Sequence, residues 1–261
     1  MHLLLTNDDG ISAPGLELLA RESRKMARVT VVAPMQQMSA TSQGITLRNS
    51  LIVKKEAYPI PDVTAYSVSG TPADCVKVAL TALFAQNPPD YVFSGINNGL
   101  NAGYDVAYSG TCAAAFEALM LGVPAAAWSL EKRETRLTGT TEAYLYPLME
   151  EVLQNPLTDS IWNINFPNLP LDQCKGILRH RQPAPCQMIR DGFGLAPGRP
   201  TDDPWDSTPA TGALANLSEG DQVELWNIGS WTPRPDAPDT SDLAAVLDGF
   251  ISIGTVHSPV L

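Results

Sequence analysis

The sequence predicts an α/β fold built around a mostly parallel sheet, and three observations carry that prediction. Short apolar runs of strand length recur through the first half of the chain, each run ends at glycine or a polar cluster, and residues at helical spacing follow. Strand, helix, strand order of this kind implies right-handed crossovers, with helices laid on the faces of the sheet. At 261 residues and 44% hydrophobic composition the chain is long enough to bury one full core, so a single domain is expected.

The elements follow in order. Residues 2–6 are the first strand, an apolar run that stops at Thr6-Asn7-Asp8. Leu16, Leu19, Ala20, Ser23 and Met26 then recur on one helical face, and Pro14 suits the first turn, where a missing N–H loses no partner. Residues 29–33 are continuously apolar, the pattern of a parallel strand covered on both faces. Residues 45–54 and 64–69 are β-rich but more polar, and read as a peripheral hairpin or edge extension. A helix over 72–85 and a strand over 91–94 come next, then a helix over 111–121 that is apolar nearly all round and is therefore buried. Strands over 125–129 and 161–166, with a helix over 142–153 between them, complete an α/β core assigned to residues 1–180.

From 181 to 240 the texture changes to scattered prolines with little helical periodicity. Two readings stand here, a β-rich arm used in subunit contacts and a disordered linker, and the rarity of long structureless loops inside compact domains favours the arm. Strand character returns at 222–228, and residues 241–261 rejoin the core through a helix over 242–247 and a strand over 250–256.

Charge narrows the partners. Lys plus Arg total 17 against 28 for Asp plus Glu, and the net charge of −11 repels nucleic-acid polymers from most of the surface. A small anion needs only a local positive well, which a metal ion or a helix N-terminus creates. Cys75, Cys112, Cys174 and Cys186 have no paired spacing and read as free thiols of a cytoplasmic protein. The first apolar run is too short for a signal peptide, and no later stretch is long enough to span a bilayer.

Three clusters carry the chemistry. Asp8 and Asp9 follow the first strand, at the sheet edge where ligands of open α/β folds bind. Adjacent carboxylates repel unless a cation joins them, and a hard divalent ion is the simplest remedy. An Asx turn leading to Pro14 explains the same residues without a ligand. The second cluster, Ser94-Gly95-Ile96-Asn97-Asn98-Gly99, also follows a strand and brings amide oxygens to that edge. It also reads as a long polar turn. Third, Tyr108-Ser109-Gly110-Thr111 opens the buried helix, which makes it either an anion site or an ordinary cap. No Lys or Arg lies between Lys77 and Lys132, so a phosphate bound there is neutralised by metal and backbone amides.

Other chemistries lack their signatures. There is no GxSxG and no Walker A sequence, Gly10 stands where an Asp-x-Asp phosphatase has its second Asp, and His2, His180 and His257 have no ligand or nucleophile spacing.

Six motifs in order resemble the SurE family of metal-dependent nucleotidases: Leu4-Leu5-Thr6-Asn7-Asp8-Asp9-Gly10, Ala13-Pro14-Gly15, Val31-Val32-Ala33-Pro34, Gly70-Thr71-Pro72-Ala73-Asp74-Cys75-Val76, Ser94-Gly95-Ile96-Asn97 and Tyr108-Ser109-Gly110-Thr111. The closing segment Thr240-Ser241-Asp242-Leu243-Ala244-Ala245-Val246 is similar as well. The resemblance implies a Rossmann-like, three-layer α/β domain with a smaller β-rich oligomerisation arm, acting as a homodimer or homotetramer. It also implies one Mg²⁺ or Mn²⁺ ion per subunit, held by Asp8, Asp9, Ser39 and Asn97, and hydrolysis of nucleoside monophosphates. In this scheme Asp8 or Asp9 accepts a proton from water, and Asn98, Ser109, Gly110 and Thr111 orient the phosphate. The stretch Met35-Gln36-Gln37-Met38-Ser39-Ala40 departs from the family, which has basic residues here and a glycine at the position of Ala40. The chain also stops at Val260-Leu261, without the family's usual C-terminal helix. A non-catalytic nucleotide or metal sensor on the same fold is the alternative reading.

Overall fold

Leu3 and Leu5 of strand β1 (His2–Thr6) project to one face of a sheet and Leu4 to the other, and this alternation divides the core into two halves. On the first face Leu3 and Leu5 meet Leu16 and Leu19 of helix α1 (Pro14–Ser23), with Leu145, Leu148 and Met149 of α4 (Gly139–Gln154). On the second, Leu4 meets Cys75 and Val76 of α2 (Pro72–Val78), with Cys112, Ala115 and Phe116 of α3 (Gly110–Met120). The result is three layers, helices over sheet over helices. The computed structural model describes residues 1–132, 139–186, 193–195, 226–228 and 237–258.

The sheet has nine strands in the order β3-β4-β2-β1-β5-β6-β7-β11-β8. They are β2 (Arg28–Pro34), β3 (Val53–Glu56), β4 (Thr64–Val68), β5 (Tyr91–Asn98), β6 (Ala125–Leu130), β7 (Ser160–Phe166), β8 (Ile177–Arg181) and β11 (Ile251–His257). The pairings from β4 through β7 are parallel, whereas β3 on β4 and β11 on β7 are antiparallel. From β1 the chain builds outward through β2 to β4, then returns to β1's other side with β5. That reversal opens a crevice between the C-terminal ends of β1 and β5, the place where open α/β sheets receive ligands.

Several elements differ from their sequence pattern for visible reasons. Residues 45–52 form no strand, and at their start the Thr46 N–H is bound by the Asp74 carboxylate on α2 at 3.0 and 3.2 Å where a strand would need a ladder partner. The helix expected over 72–85 is α2 followed by a wider π turn, Ala79–Leu83, after which Phe84 packs edge-on against His2 and Tyr66. Strand β8, whose Arg-His-Arg sequence hides its β character, takes the sheet edge beside β11. The short helix α5 (Asp242–Leu247) lies against β11.

The chain divides into two compact units, Met1–Gln187 with Arg234–Leu261, and Met188–Pro233. Within the second, β9 (Phe193–Leu195) and β10 (Trp226–Ile228) pair antiparallel. Most of the arm expected over 181–240, including the first part of the strand expected at 222–228, lies outside the described residues. No helix among the described residues is long and apolar enough to cross a membrane.

Candidate active site

The loop after β1 is shaped by Asn7. Its side chain accepts from the Gly10 N–H at 3.2 Å and donates to the Gly10 carbonyl at 3.0 Å, while Gly10 turns at φ 98°. The turn-forming role that Asp-Gly sequences often carry therefore falls to Asn7. Helix α1 begins at Ala13 with no side-chain cap, so neither Asp8 nor Asp9 serves as one.

Asp8 is buried at the crevice, 4% exposed, and accepts a hydrogen bond from the Thr111 hydroxyl at the start of α3. Burial, followed by the adjacent charge of Asp9, pushes its carboxyl up to about 7 against the lowering effect of Thr111. Among the described residues no positive side chain offsets that cost. Asp9 is less buried and accepts from the Asn98 N–H at 3.0 Å and from Gln37 Nε2 at 3.3 Å. The same Gln37 nitrogen donates to Ser39 Oγ at 2.9 Å, so one amide ties the loop bearing Ser39 to Asp9. Asn97 donates its Nδ2 to the Gly99 carbonyl at 2.8 Å, which fixes the amide with Oδ1 as its remaining acceptor.

The loop after β5 is held from below by a buried polar network. Asn165 Oδ1 accepts from the Asn101 N–H at 2.9 Å, Asn163 and Asn165 donate to the Asn101 carbonyl, and Asn101 Nδ2 donates to Ser129 Oγ at 2.8 Å. At its far end the Gly103 N–H meets Asp242, which also accepts from the Ala184 N–H at 2.9 Å. Burial raises the Asp242 carboxyl to about 6 despite these donors.

At the start of α3, Ser109 Oγ accepts from the Cys112 N–H at 3.0 Å and the Ser109 carbonyl accepts from Ala113. The Ser109 hydroxyl is thus a helix cap, and the Thr111 hydroxyl is spent on Asp8. Gly110 is required sterically: a Cβ there would come within 2.9 Å of Asp8 Cβ and 3.2 Å of Pro72 Cγ. The backbone of this turn consequently sits directly on the first carboxylate.

The donors fit a hard divalent cation. Two adjacent carboxylates, a hydroxyl and an amide come from three loops, all through oxygen, and one carboxylate is buried with no counter-charge among the described residues. No cluster of three or more His, Cys, Asp or Glu side chains suited to a metal occurs among the described residues. His180 and His257 are exposed, and His2 packs against Thr30 and Arg28.

Ala40 adopts φ 56°, the left-handed region that favours glycine. An Ala40→Gly substitution is expected to stabilise the protein by about 0.5–1 kcal/mol, the strain relieved exceeding the extra freedom of the unfolded chain. Denaturant unfolding checks this, and a loss of stability would contradict it.

The sequence reading did not single out Gln37, Asn163, Asn165 or Asp74. Gln37 lies within the stretch that departs from the family and Asp74 within the Gly70–Val76 motif, and these are the signals the sequence offers for them. The two asparagines stand at strand positions whose ladder partners no periodicity reveals.

Comparison with known proteins gives the family. The family described as survival protein SurE matches residues 3–185. A 5'/3'-nucleotidase SurE from Erwinia tasmaniensis is 38% identical over 258 residues, covering 98% of this chain and 90% of that protein. A 5'-nucleotidase SurE from Carboxydothermus hydrogenoformans is 46% identical over 185 residues, 68% of this chain and 69% of that one. Among solved structures, the SurE protein from Aquifex aeolicus aligns with a TM-score of 0.75 at 29% identity, over 98% of this chain and 93% of the other. With the family matched over well more than half of its length, this chain belongs to the SurE family.

Proposed function

We propose that this chain is a nucleotidase that hydrolyses the phosphate monoester of nucleoside monophosphates with the help of one Mg²⁺ or Mn²⁺ ion. The observation that carries it is the Asp8–Asp9 pair at the β1/β5 crevice, one carboxylate buried and raised to about 7 with no positive side chain among the described residues to offset it. Relatives bearing the name 5'/3'-nucleotidase support substrates of both kinds. Short polyphosphate is a further candidate on chemical grounds.

Asp8, Asp9, Ser39 and Asn97 would hold the ion, which when bound supplies charge neutralisation at the phosphoryl group and activation of water. The chain's own residues do the rest. Asp8 or Asp9 would accept a proton from the attacking water, and Asp9 is steadied by the Asn98 N–H and Gln37. With the Cys112 amide capped by Ser109 and Thr111 turned to Asp8, the Gly110 N–H is the first-turn donor of α3 left for a phosphate oxygen. Asn98 offers a second donor from its exposed side chain. Ser109 and Thr111 then orient the phosphate through the turn they build. The reading carries with it a cytoplasmic setting and a homodimer or homotetramer, built through residues 181–240 as an arm.

Release of inorganic phosphate from a panel of 5'- and 3'-mononucleotides, with and without Mn²⁺, tests the proposal. Hydrolysis confined to Mn²⁺-containing reactions is expected. Saturable nucleotide binding with no phosphate release would replace the enzyme by a sensor.

Protons and metal compete at Asp8. Its carboxyl is raised above the unfolded value of 3.8 to about 7, so without metal it destabilises the fold increasingly as pH rises from about 4 to 7. Metal binding must displace that proton, so Mn²⁺ affinity is expected to weaken about tenfold per pH unit below 7 and to level off above it. Calorimetric titration at pH 5.5, 6.5 and 7.5 checks this, and an affinity independent of pH over that range would contradict it.

A further inference from the structure

The Gly70–Val76 motif has no part in the chemistry above, yet it grips the loop that bears Ser39. Asp74, in the first turn of α2, is 2% exposed, and its carboxylate is filled by protein donors. Oδ1 accepts from the Thr46 N–H at 3.0 Å, and Oδ2 accepts from the Thr46 hydroxyl at 2.7 Å and from the Thr71 N–H at 3.0 Å. Thr71 completes the grip by donating its hydroxyl to the Gly44 carbonyl at 2.6 Å.

The gripped loop has no regular structure of its own over 35–46, and two of its non-glycine residues, Ala40 and Ser42, hold left-handed backbone at φ 56° and 51°. Such a conformation persists only where the surroundings over-determine it. Several contacts do so. The Met35 N–H donates to the Val68 carbonyl at 2.9 Å, Gln37 donates to Asp9, the Met38 N–H donates to the Asp8 carbonyl at 2.7 Å, Ser42 binds the carbonyls of Ala107 and Tyr108, and Gly44 with Thr46 is held by Thr71 and Asp74. The contacts of Gln37, Met38 and Ser42 lie in the active-site loops themselves. Those of Met35 and of Gly44 with Thr46 come from outside them and hold the loop at its two ends, and Pro72 beside the second packs within reach of Gly110.

We propose that Asp74 is a positioning residue for the reaction: by bonding Thr46 and Thr71 it fixes the 35–46 loop, and so sets Ser39 against Asp9. The inference rests on the functional reading above, in which Ser39 is a metal ligand. It acts through the loop, and Asp74 itself touches neither metal nor substrate. Groups that hydrogen-bond a metal ligand directly change metal affinity by about ten- to a hundredfold, and Asp74, acting through the loop, is assigned the lower end of that range.

Asparagine at this position keeps the shape but replaces one acceptor oxygen by a donor, so the Thr71 or Thr46 N–H loses its partner. The experiment compares wild type, Asp74→Asn, Ser39→Ala and the double variant, each as the full chain. It reads Mn²⁺ dissociation constants by calorimetry, melting temperature, and amide exchange over residues 38–46 in metal-free protein. Asp74→Asn is expected to speed exchange in the loop and weaken Mn²⁺ binding at least about tenfold. In the Ser39→Ala background the same change should add little, because the ligand it positions is already gone. Wild-type Mn²⁺ affinity in folded Asp74→Asn, unchanged exchange, or a full multiplicative loss in the double variant would each overturn the proposal. Should Asp74→Asn not fold, Thr46→Val removes one of the same bonds, and its wild-type affinity and exchange would overturn it equally. A wild-type protein that binds no Mn²⁺ would instead sink the functional reading, with loop exchange still deciding whether Asp74 is the clamp.

Discussion

Replacing Asp8 with asparagine is expected to lower nucleotide hydrolysis by about 10²- to 10⁴-fold while leaving the protein as stable as before, or more so, at pH 8 without metal. The two effects have opposite signs for one physical reason. The Asp8 carboxyl is buried beside Asp9 and pushed up to about 7, so above that pH its ionised form costs the metal-free fold free energy that a neutral amide does not. Thr111 still finds an acceptor in the asparagine carbonyl, which preserves the start of α3. Asp9→Asn should lose activity to a similar degree but gain less stability, because Asp9 is less buried. The check is steady-state phosphate release together with thermal unfolding in excess chelator. An Asp8→Asn protein that is folded and retains a tenth or more of wild-type turnover would contradict the assigned role.

The second large effect is at Gly110. An added methyl group would meet Asp8 Cβ at 2.9 Å and Pro72 Cγ at 3.2 Å, and neither is the far end of a flexible chain. Either Asp8 shifts or the first turn of α3 does, and a displacement of this size at a reacting geometry costs about 10²-fold in rate. Overpacking costs about 1–3 kcal/mol of stability, which a domain of this size tolerates. Gly110→Ala is therefore expected to fold, lose about 100-fold in kcat/KM, and be inhibited less by inorganic phosphate. A folded variant with wild-type kcat/KM and phosphate inhibition would show that the turn is not part of the site.

Much of the fold is legible because β1, β2, β5 and β6 are buried parallel strands that carry short apolar runs ending at glycine or polar clusters. The helices α1 and α3 follow from periodicity and from the Pro14 and Ser109 starts. What escapes a sequence reading is structure set by tertiary partners. Residues 45–52 look like a strand until Thr46 is seen bound to Asp74, and β8 looks polar because it lies at an edge. The site shows the same division. Asp8, Asp9 and Asn97 are legible from their places at strand ends, which parallel topology brings to one crevice. Ser39 is legible only through family resemblance, since nothing local separates it from a turn serine. Gln37 and Asp74 stand in stretches that the resemblance marks, but what each does needs coordinates, because each acts by joining segments distant in sequence.

The central claim is that Asp8, Asp9, Ser39 and Asn97 hold a divalent ion on which nucleotide hydrolysis depends. Its most direct test is phosphate release from a nucleoside 5'-monophosphate by protein stripped with EDTA and verified metal-free, followed by titration with Mn²⁺ or Mg²⁺. The account predicts no turnover in the stripped protein and saturable recovery with one ion per subunit. Undiminished hydrolysis by verified metal-free protein would contradict it.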